Sequence, residues 1–182
     1  MKARAHLDFD PIERAGELWE QHFGDSTSMK VVTSIMRVQQ LLIGALDAQL
    51  KPFDITFARY EVLVLLTFSR QGKLPLSKVG ERLMVHPTSV TNAIDRLEKQ
   101  GLVQRIPDVR DGRRVLASLT DSGRRLTKKA TEALSEISFG IDGQPLESQE
   151  QLYDLLRKLR ASVGDSPQKT SSNSQSRAER SF

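Results

Sequence analysis

The stretch MVHPTSVTNAIDRLEKQGLVQRIPDVRDGRRVLASL, residues 84–119, decides the fold. Its first half predicts a helix, because His86 suits the N-cap, Pro87 the first turn and Gly101 the left-handed position after the last turn. Its second half predicts a β-hairpin, since the β-prone runs LVQRI and RVLASL flank the polar tip PDVRDGR. A helix that leads directly into a highly charged hairpin therefore forms the centre of the predicted domain.

The segments before this stretch predict two more helices. FARYEVLVLLTFSR, residues 57–70, has apolar residues at helical spacing and Thr56 as a candidate N-cap. LPLSKVGERL, residues 74–83, has the same spacing over a shorter length. The order helix, short helix, turn, helix and hairpin over residues 56–120 is that of a winged helix-turn-helix, an arrangement that binds DNA.

A charge-poor helix precedes the winged unit. Arg37 is the only charged residue between Val31 and Leu46, so a helix over residues 28–50 must be buried on most of its circumference. A small domain offers few places to bury such a helix. We therefore expect it to lie in a subunit interface.

The remaining segments complete the expected organisation. Thr120 caps a helix that runs toward Phe139, and an amphipathic helix over residues 147–163 ends the domain. The expected fold class is mainly α with a small β wing, in which N- and C-terminal dimerisation helices flank the winged helix-turn-helix. Outside this domain, residues 28–163, we expect a flexible N-terminus (1–9), an extra helix (10–24) capped by Asp10, and a disordered Ser-rich tail (164–182).

Composition excludes several classes of protein. The chain has no cysteine, which excludes disulfides and thiolate metal sites. His6, His22 and His86 show no metal-ligand spacing, and the sequence contains no nucleophile motif or phosphate-binding loop. We therefore expect no metal, no cofactor and no enzyme activity. The sequence also lacks a run of 18 apolar residues and a secretory signal, so we expect a cytoplasmic protein that does not span a membrane.

Positive charge is concentrated in one quarter of the chain. The formal net charge is only +4, but residues 86–129 contain ten Lys or Arg against five Asp or Glu. The rest of the chain is therefore close to neutral. Localised basicity of this kind indicates a polyanionic partner.

The helix over residues 87–99 has one face suited to DNA. Val90, Ile94 and Leu97 recur at core-facing spacing. Small hydroxyls and an amide let a helix approach base edges closely, and an Asn side chain can bind adenine in the major groove. Short polar residues are also common in the first turn of any helix, so a single residue does not decide between the two interpretations. As a group, the side chains expected to contact DNA are Thr88, Ser89, Thr91, Asn92 and Arg96.

The hairpin tip is the second candidate DNA contact. Arginine side chains are long, permanently charged and suited to phosphates or to the narrow minor groove, and aspartates orient them by bidentate pairing. A solvated tip whose charges pair locally is the alternative. Beside a recognition helix we favour DNA binding, and the residues expected to form this wing are Arg105, Asp108, Arg110, Asp111, Arg113 and Arg114.

Residues 74–125 resemble the winged helix-turn-helix of the MarR (multiple antibiotic resistance regulator) family. The resemblance rests on a strand that ends in LT, a turn at Gly123, and the wing pattern D-x-R-D-x-R at Asp108, Arg110, Asp111 and Arg113. It implies obligate homodimers with interleaved first and last helices. It also implies binding to a pseudo-palindromic DNA site, with one recognition helix in each major-groove half-site and with Arg113, oriented by Asp111, in the minor groove.

Two positions depart from the pattern of this family. Gly112 stands where an arginine is common, which would remove one phosphate contact. His86 stands where a serine cap is more usual.

The resemblance further implies a small-molecule effector that releases the DNA and binds between the dimer region and the DNA-binding lobe. The polar candidates on the helices that would line this cleft are Arg37, Arg59, Tyr60 and Glu61, and ordinary surface or interface roles remain open for each. Trp19 on the extra helix resembles a feature of a subgroup that responds to urate, with Glu61 in place of the buried acid of that subgroup. Ala93 stands where that subgroup would carry an arginine, so packing against the dimer is the favoured role of Trp19.

Two functions of different classes follow from the sequence. The first is a ligand-responsive transcriptional regulator, most often a repressor, that binds double-stranded DNA as a homodimer. The alternative is a winged helix that binds an acidic partner protein and has no specific operator. The polar helix face and the wing pattern favour the first.

Overall fold

The structure, a computed structural model, describes residues 7–109 and 111–165, and residues 112 and 113 through their backbone alone. Arg110, residues 1–6 of the expected flexible N-terminus (1–9) and residues 166–182 of the expected disordered tail (164–182) therefore lie outside the described residues. The helices are α1 (Pro11–Phe23), α2 (Thr27–Leu50), α3 (Phe57–Phe68), α4 (Leu76–Leu83), α5 (Pro87–Lys99), α6 (Asp121–Glu136) and α7 (Leu146–Ser162). The strands are β1 (Lys73–Pro75), β2 (Val103–Asp108) and β3 (Asp111–Leu119), and short 3-10 helices span Lys51–Phe53 and Ser138–Gly140. The expected fold class, mainly α with a small β wing, is confirmed.

The core lies where α3 packs against the helix-turn-helix and the start of the sheet. On α3, Leu63 and Leu66 are fully buried. On α5, the predicted inward face is confirmed, since Val90, Ile94 and Leu97 are at most 2% exposed. Burial of these aliphatic side chains is the main force that holds α5 against the domain and leaves its opposite face in solvent.

The predicted helix ends are confirmed at three positions. Asp10 Oδ1 accepts a hydrogen bond from the Ile12 amide at 2.8 Å, and Thr120 Oγ1 accepts one from the Gly123 amide at 3.0 Å. Gly101 has φ of +68° at the end of α5, a conformation that glycine adopts without strain.

The predicted cap of α3 is wrong. Thr56 occupies the N-cap position, but its side chain makes no capping bond. Instead Asp47, in the last turns of α2, accepts a hydrogen bond from the Phe57 amide at 2.7 Å. The 3-10 turn at Lys51–Phe53 and the left-handed Asp54, with φ of +54°, connect the end of α2 to the start of α3.

The sheet has one more strand than the sequence predicts. β1 pairs antiparallel with β3, so that the strand order is β1-β3-β2. A three-residue strand that ends in Pro75 is too short to show a two-residue periodicity, which explains why the pattern predicts only a helix here. β2 and β3 also extend further toward the tip than the predicted runs, with an irregularity in register between Pro107 and Asp108.

The helix that begins at Asp121 ends earlier than predicted. It stops at Glu136 instead of Phe139. Ser138 and Phe139 have φ of +45° and +54°, a left-handed conformation that cannot continue a right-handed helix.

A long apolar surface of α2 is exposed within the single chain. Every residue from 31 to 40 is exposed, and the buried residues of α2 are Leu46 and Leu50. α7 has no buried residue, although Leu155 and Leu159 are apolar and 63% and 44% exposed. Contiguous apolar surface of this extent marks an interaction site, in accord with the expectation of a subunit interface.

By length and composition alone, the helix over Thr27–Phe53 could also cross a membrane. The expectation that nothing spans a membrane rested on the lack of an uninterrupted apolar run, whereas this helix is apolar on average and is interrupted by Arg37. One apolar helix of this kind is weak evidence for a membrane protein.

Candidate nucleic-acid interface

α4 and α5 form the helix-turn-helix, and the turn between them sets the direction of α5. Met84 adopts a left-handed conformation with φ of +55°, and its amide bonds the Gly80 carbonyl to end α4. His86 then caps α5, since its Nδ1 accepts a hydrogen bond from the Thr88 amide at 3.3 Å. The expected histidine cap is confirmed, and it holds the first turn of α5 at the surface.

The outer face of α5 is exposed along its whole length. The predicted contact residues of α5 all lie on this exposed face, namely Thr88, Ser89, Thr91, Asn92 and Arg96. Ser89, Asn92 and Arg96 follow at spacings of three and four, so they form one stripe that an incoming groove would meet together. Thr88 and Thr91 form a neighbouring stripe, in which the Thr91 hydroxyl donates to the Pro87 carbonyl oxygen at 3.1 Å. This arrangement offers hydroxyl, amide and guanidinium groups to a polar surface.

One predicted wing residue has a different environment from the one expected. The guanidinium of Arg105, on β2, donates to Asp95 at 2.5 Å and to Glu98, both on α5. The side chain of Arg105 is only 27% exposed. Because two carboxylates already engage it, Arg105 fixes β2 to α5, and its expected contact with DNA stays a prediction.

The same contact lowers the pKa of the Glu98 carboxyl. The backbone amide of Arg105 donates to Glu98 Oε1 at 3.0 Å, and this bond is the largest cause of the lowered pKa, followed by the bond from the guanidinium. Glu98 is therefore ionised well into the acidic range, and the connection between helix and wing is maintained at neutral pH.

The tip of the wing presents exposed groups at the far end of β2 and β3. Asp108 is half-buried and lies opposite Asp111 in the register, and Arg114 is exposed. Val109, between the strands, is fully exposed. The side chains of Arg110 and Arg113 lie outside the described residues, so their expected contact with DNA stays a prediction.

Within one chain, the structure does not bring the predicted effector-binding residues together. Trp19 on α1 packs on Phe23 with ring centroids 5.0 Å apart. Arg37 lies in a separate cleft between α1 and α2 and donates to Gln40 at 3.3 Å. Residues 59, 60 and 61 are consecutive on α3 and therefore point about 100° apart.

The three residues of α3 accordingly have three environments. Tyr60 is buried, and its hydroxyl lies 2.9 Å from the hydroxyl of Thr131 on α6. Glu61 is exposed at the helix surface, where partial desolvation raises the pKa of its carboxyl. Arg59 lies beside α5, in the cleft that Ser89, Asn92 and Arg96 line.

Sequence reasoning missed Lys99, Gln100 and Asp54, which lie together near the C-terminal end of α5. Lys99 is exposed at the end of the helix, and Gln100 donates through Nε2 to both the carbonyl and a carboxylate oxygen of Asp54. Asp54 and Gln100 are 46 positions apart, and no periodicity relates them, so no local pattern could have predicted the contact. Among the described residues, no group of three or more His, Cys, Asp or Glu could hold a metal ion.

Comparison with known proteins identifies close relatives. Residues 57–115 match the model of the MarR family. The crystal structure of Sco5413, a MarR family transcriptional regulator from Streptomyces coelicolor, is 52% identical and covers 76% of this chain and 96% of its own, with a TM-score of 0.72. YhbI of Bacillus subtilis, named as an uncharacterized HTH-type transcriptional regulator, is 36% identical over 118 residues, which are 65% of this chain and 73% of that protein.

A third relative was solved in complex with DNA. Sco3205, a MarR family transcriptional regulator from Streptomyces coelicolor, is 25% identical, with a TM-score of 0.68 over 79% of this chain and 92% of its own. These proteins are transcriptional regulators and not enzymes.

Proposed function

Because the chain belongs to the MarR family of transcriptional regulators, we propose that it binds a pseudo-palindromic operator as a homodimer and represses transcription from it. The observation that carries the proposal is the exposed polar stripe of α5, where Ser89, Asn92 and Arg96 stand on a helix whose opposite side is fixed in the core. Such a helix fits the major groove, where hydroxyl, amide and guanidinium groups distinguish base edges.

The exposed apolar surfaces support a homodimer. α2 and α7 lie at the two ends of the domain sequence; α7 buries no residue within the chain, and α2 buries only Leu46 and Leu50. A second copy with the same two helices would cover them by a two-fold symmetric contact. The two recognition helices would then be related by the same axis, which explains the expected symmetry of the operator.

Regulation by a small molecule is the third part of the proposal. An effector bound between the dimer helices and the winged lobe would change the separation of the two recognition helices and so release the operator. The hydrogen bond between Tyr60 and Thr131 connects α3 of the lobe to α6, and Glu61, with its raised pKa, lies next to this connection on α3. As regulators of this family are soluble proteins, we place the function in the cytoplasm.

The proposal is tested by fluorescence anisotropy of the purified protein with the duplex that lies upstream of its own gene. In excess unrelated DNA, we expect tight binding that Arg113→Ala weakens, because loss of one minor-groove contact per subunit costs on the order of 1–3 kcal/mol. Arg14→Ala is the control, since Arg14 pairs with Glu17 on the surface of α1.

Transcription in vitro from the same duplex tests repression. Addition of the protein should lower the transcript yield, and an effector should restore it. Weak binding that is equal on every duplex tried, including a pool of random sequences, would instead support the winged helix as a protein-binding module.

A further inference from the structure

A cleft lies between the N-terminal end of α3 and the recognition helix α5. Its volume is about 580 Å³. One wall is formed by Thr56, Ala58 and Arg59, and the other by α5 and the residue after it. The second wall includes Ser89, Asn92 and Arg96, which are the stripe expected to face DNA. We call this feature the α3–α5 cleft.

The α3–α5 cleft carries an excess of positive charge. Arg59, Arg96 and Lys99 line it, and none of the three forms an ion pair with another described residue. Arg105, on the other flank of α5, is by contrast paired with both Asp95 and Glu98. The cleft therefore presents its cations to solvent and to whatever approaches α5.

The carboxylate in the α3–α5 cleft does not neutralise these cations. Asp54 lines the cleft, and its Oδ2 accepts a hydrogen bond from Gln100 Nε2 at 2.9 Å. This hydrogen bond directs one carboxylate oxygen of Asp54 toward Gln100. One acidic residue against three basic ones leaves the lining with net positive charge.

The position of Arg59 is fixed before any ligand arrives. Its Nη1 donates to the Asp54 carbonyl oxygen and its Nε to Thr56 Oγ1, each at 3.3 Å. The same carbonyl accepts from Gln100 Nε2 at 2.7 Å. Asp54 thus joins the start of α3 to the end of α5. Pre-ordering of this kind lowers the entropic cost of binding.

From this geometry we infer that Arg59 binds a backbone phosphate of the operator, at the rim of the major groove that α5 enters. Its guanidinium has N–H donors left over beyond the two bonds to Asp54 and Thr56, and such donors match phosphate oxygens. A phosphate contact positions the recognition helix without reading sequence. Arg59 is thereby a DNA-binding residue outside the helix-turn-helix and the wing. This inference rests on the proposed function.

The test is the salt dependence of operator affinity. For each phosphate that a protein neutralises, the logarithm of the affinity falls by ~0.9 per logarithm of salt concentration. Arg59→Gln should remove one contact per subunit, so the slope for the dimer should become shallower by about 1.8. The loss of affinity should be equal on operator and unrelated DNA, because phosphates carry no sequence information.

Two further variants separate binding from folding. Arg59→Lys keeps the charge and should keep the slope near that of the wild type, because lysine also binds phosphate. Arg14→Gln removes an arginine of α1 that pairs with Glu17, and its slope should equal that of the wild type. Thermal unfolding of each variant shows whether the fold is intact.

An unchanged slope in Arg59→Gln, with wild-type binding intact, would overturn the inference and leave the proposed function standing. A loss confined to the operator would also overturn it, since Arg59 would then affect base recognition. Failure of the wild type to bind any duplex would overturn the proposed function and the inference together.

Discussion

The guanidinium of Arg105 on β2 and the carboxylate of Asp95 on α5 form an ion pair of 2.5 Å. With the second bond to Glu98, this contact connects the first strand of the wing to the recognition helix. The two elements expected to enter the major and minor grooves are therefore held in one fixed geometry. We therefore expect Arg105 to act as a positioning residue for DNA binding rather than as a direct DNA contact.

Arg105→Ala should weaken operator binding and slightly destabilise the fold. The expected loss of stability is about 1 kcal/mol, because the ion pairs are partly exposed and screened by solvent. Under conditions where the variant is fully folded, its loss of binding free energy should exceed its loss of unfolding free energy. The reason is that the wing loses its orientation relative to α5. Urea unfolding and anisotropy with operator DNA measure the two effects. Equal affinity for variant and wild type would show that the wing is positioned without Arg105.

The contribution of Glu98 to stability should depend on pH. Its carboxyl has a pKa lowered from 4.5 in the folded state, so its contribution is fully present above 4.5 and is lost as the pH falls through the lowered folded value. Glu98→Gln should therefore be less stable than the wild type at neutral pH, and the difference should shrink progressively as the pH falls below 4.5. Urea unfolding of both proteins across this pH range tests the prediction. A difference in unfolding free energy that does not change with pH would contradict it.

Gly123→Ala should destabilise the fold strongly. A Cβ at this position would collide with the Leu102 carbonyl oxygen and approach Leu119 Cδ1 to 2.8 Å. Since a backbone atom cannot move aside cheaply, the cost should be about 1–3 kcal/mol or more. Gly143→Ala is the matched control, because nothing lies within 4 Å of its Cβ position. Thermal unfolding compares the two variants. Similar melting temperatures would contradict the close packing of Gly123 against the Leu102 carbonyl.

Asp47→Ala should cost about 1 kcal/mol, because it leaves the Phe57 amide at the start of α3 without its acceptor. Thr56→Ala should cost less, since the Thr56 side chain makes no capping bond. Chemical denaturation of both variants tests the order. A larger loss for Thr56→Ala would restore the cap that the sequence alone predicts.

Leu155→Glu should convert the dimer to a monomer. Leu155 is 63% exposed on the apolar face of α7, and a carboxylate there would be buried without a partner in the proposed interface. Light scattering after gel filtration measures the mass of each protein. Glu150→Gln, at an exposed position turned about 140° from Leu155 on the same helix, should remain dimeric. A dimeric Leu155→Glu would place the interface elsewhere.

Local patterns in the sequence predict the parts of the fold that depend on neighbours in the chain. The spacing of Val90, Ile94 and Leu97 predicts which face of α5 is buried, and the caps at Asp10 and Thr120 follow from residue type and position. Both depend on interactions within one or two helical turns. The wing hairpin follows in the same way from its turn and its β-prone flanks.

Contacts between distant segments were not predictable in this way. The α3 cap comes from Asp47, ten positions away, and β1 exists because β3 offers it a partner. The sequence makes Arg59, Tyr60 and Glu61 effector candidates as polar residues of one helix, but it does not show that the helix turns each of them to a different side. Arg105 has the residue type of a DNA contact, but its partners lie on another element and only the folded arrangement shows them.

The most direct test of the central claim is selection of bound sequences from a pool of random duplexes. Binding by a two-fold symmetric dimer predicts enriched sites with two inverted half-sites, spaced by about one helical turn, or 10 base pairs, or a multiple of it. Arg113→Ala should enrich the same half-sites more weakly. Recovery of no common sequence, or of a single half-site without symmetry, would contradict the account.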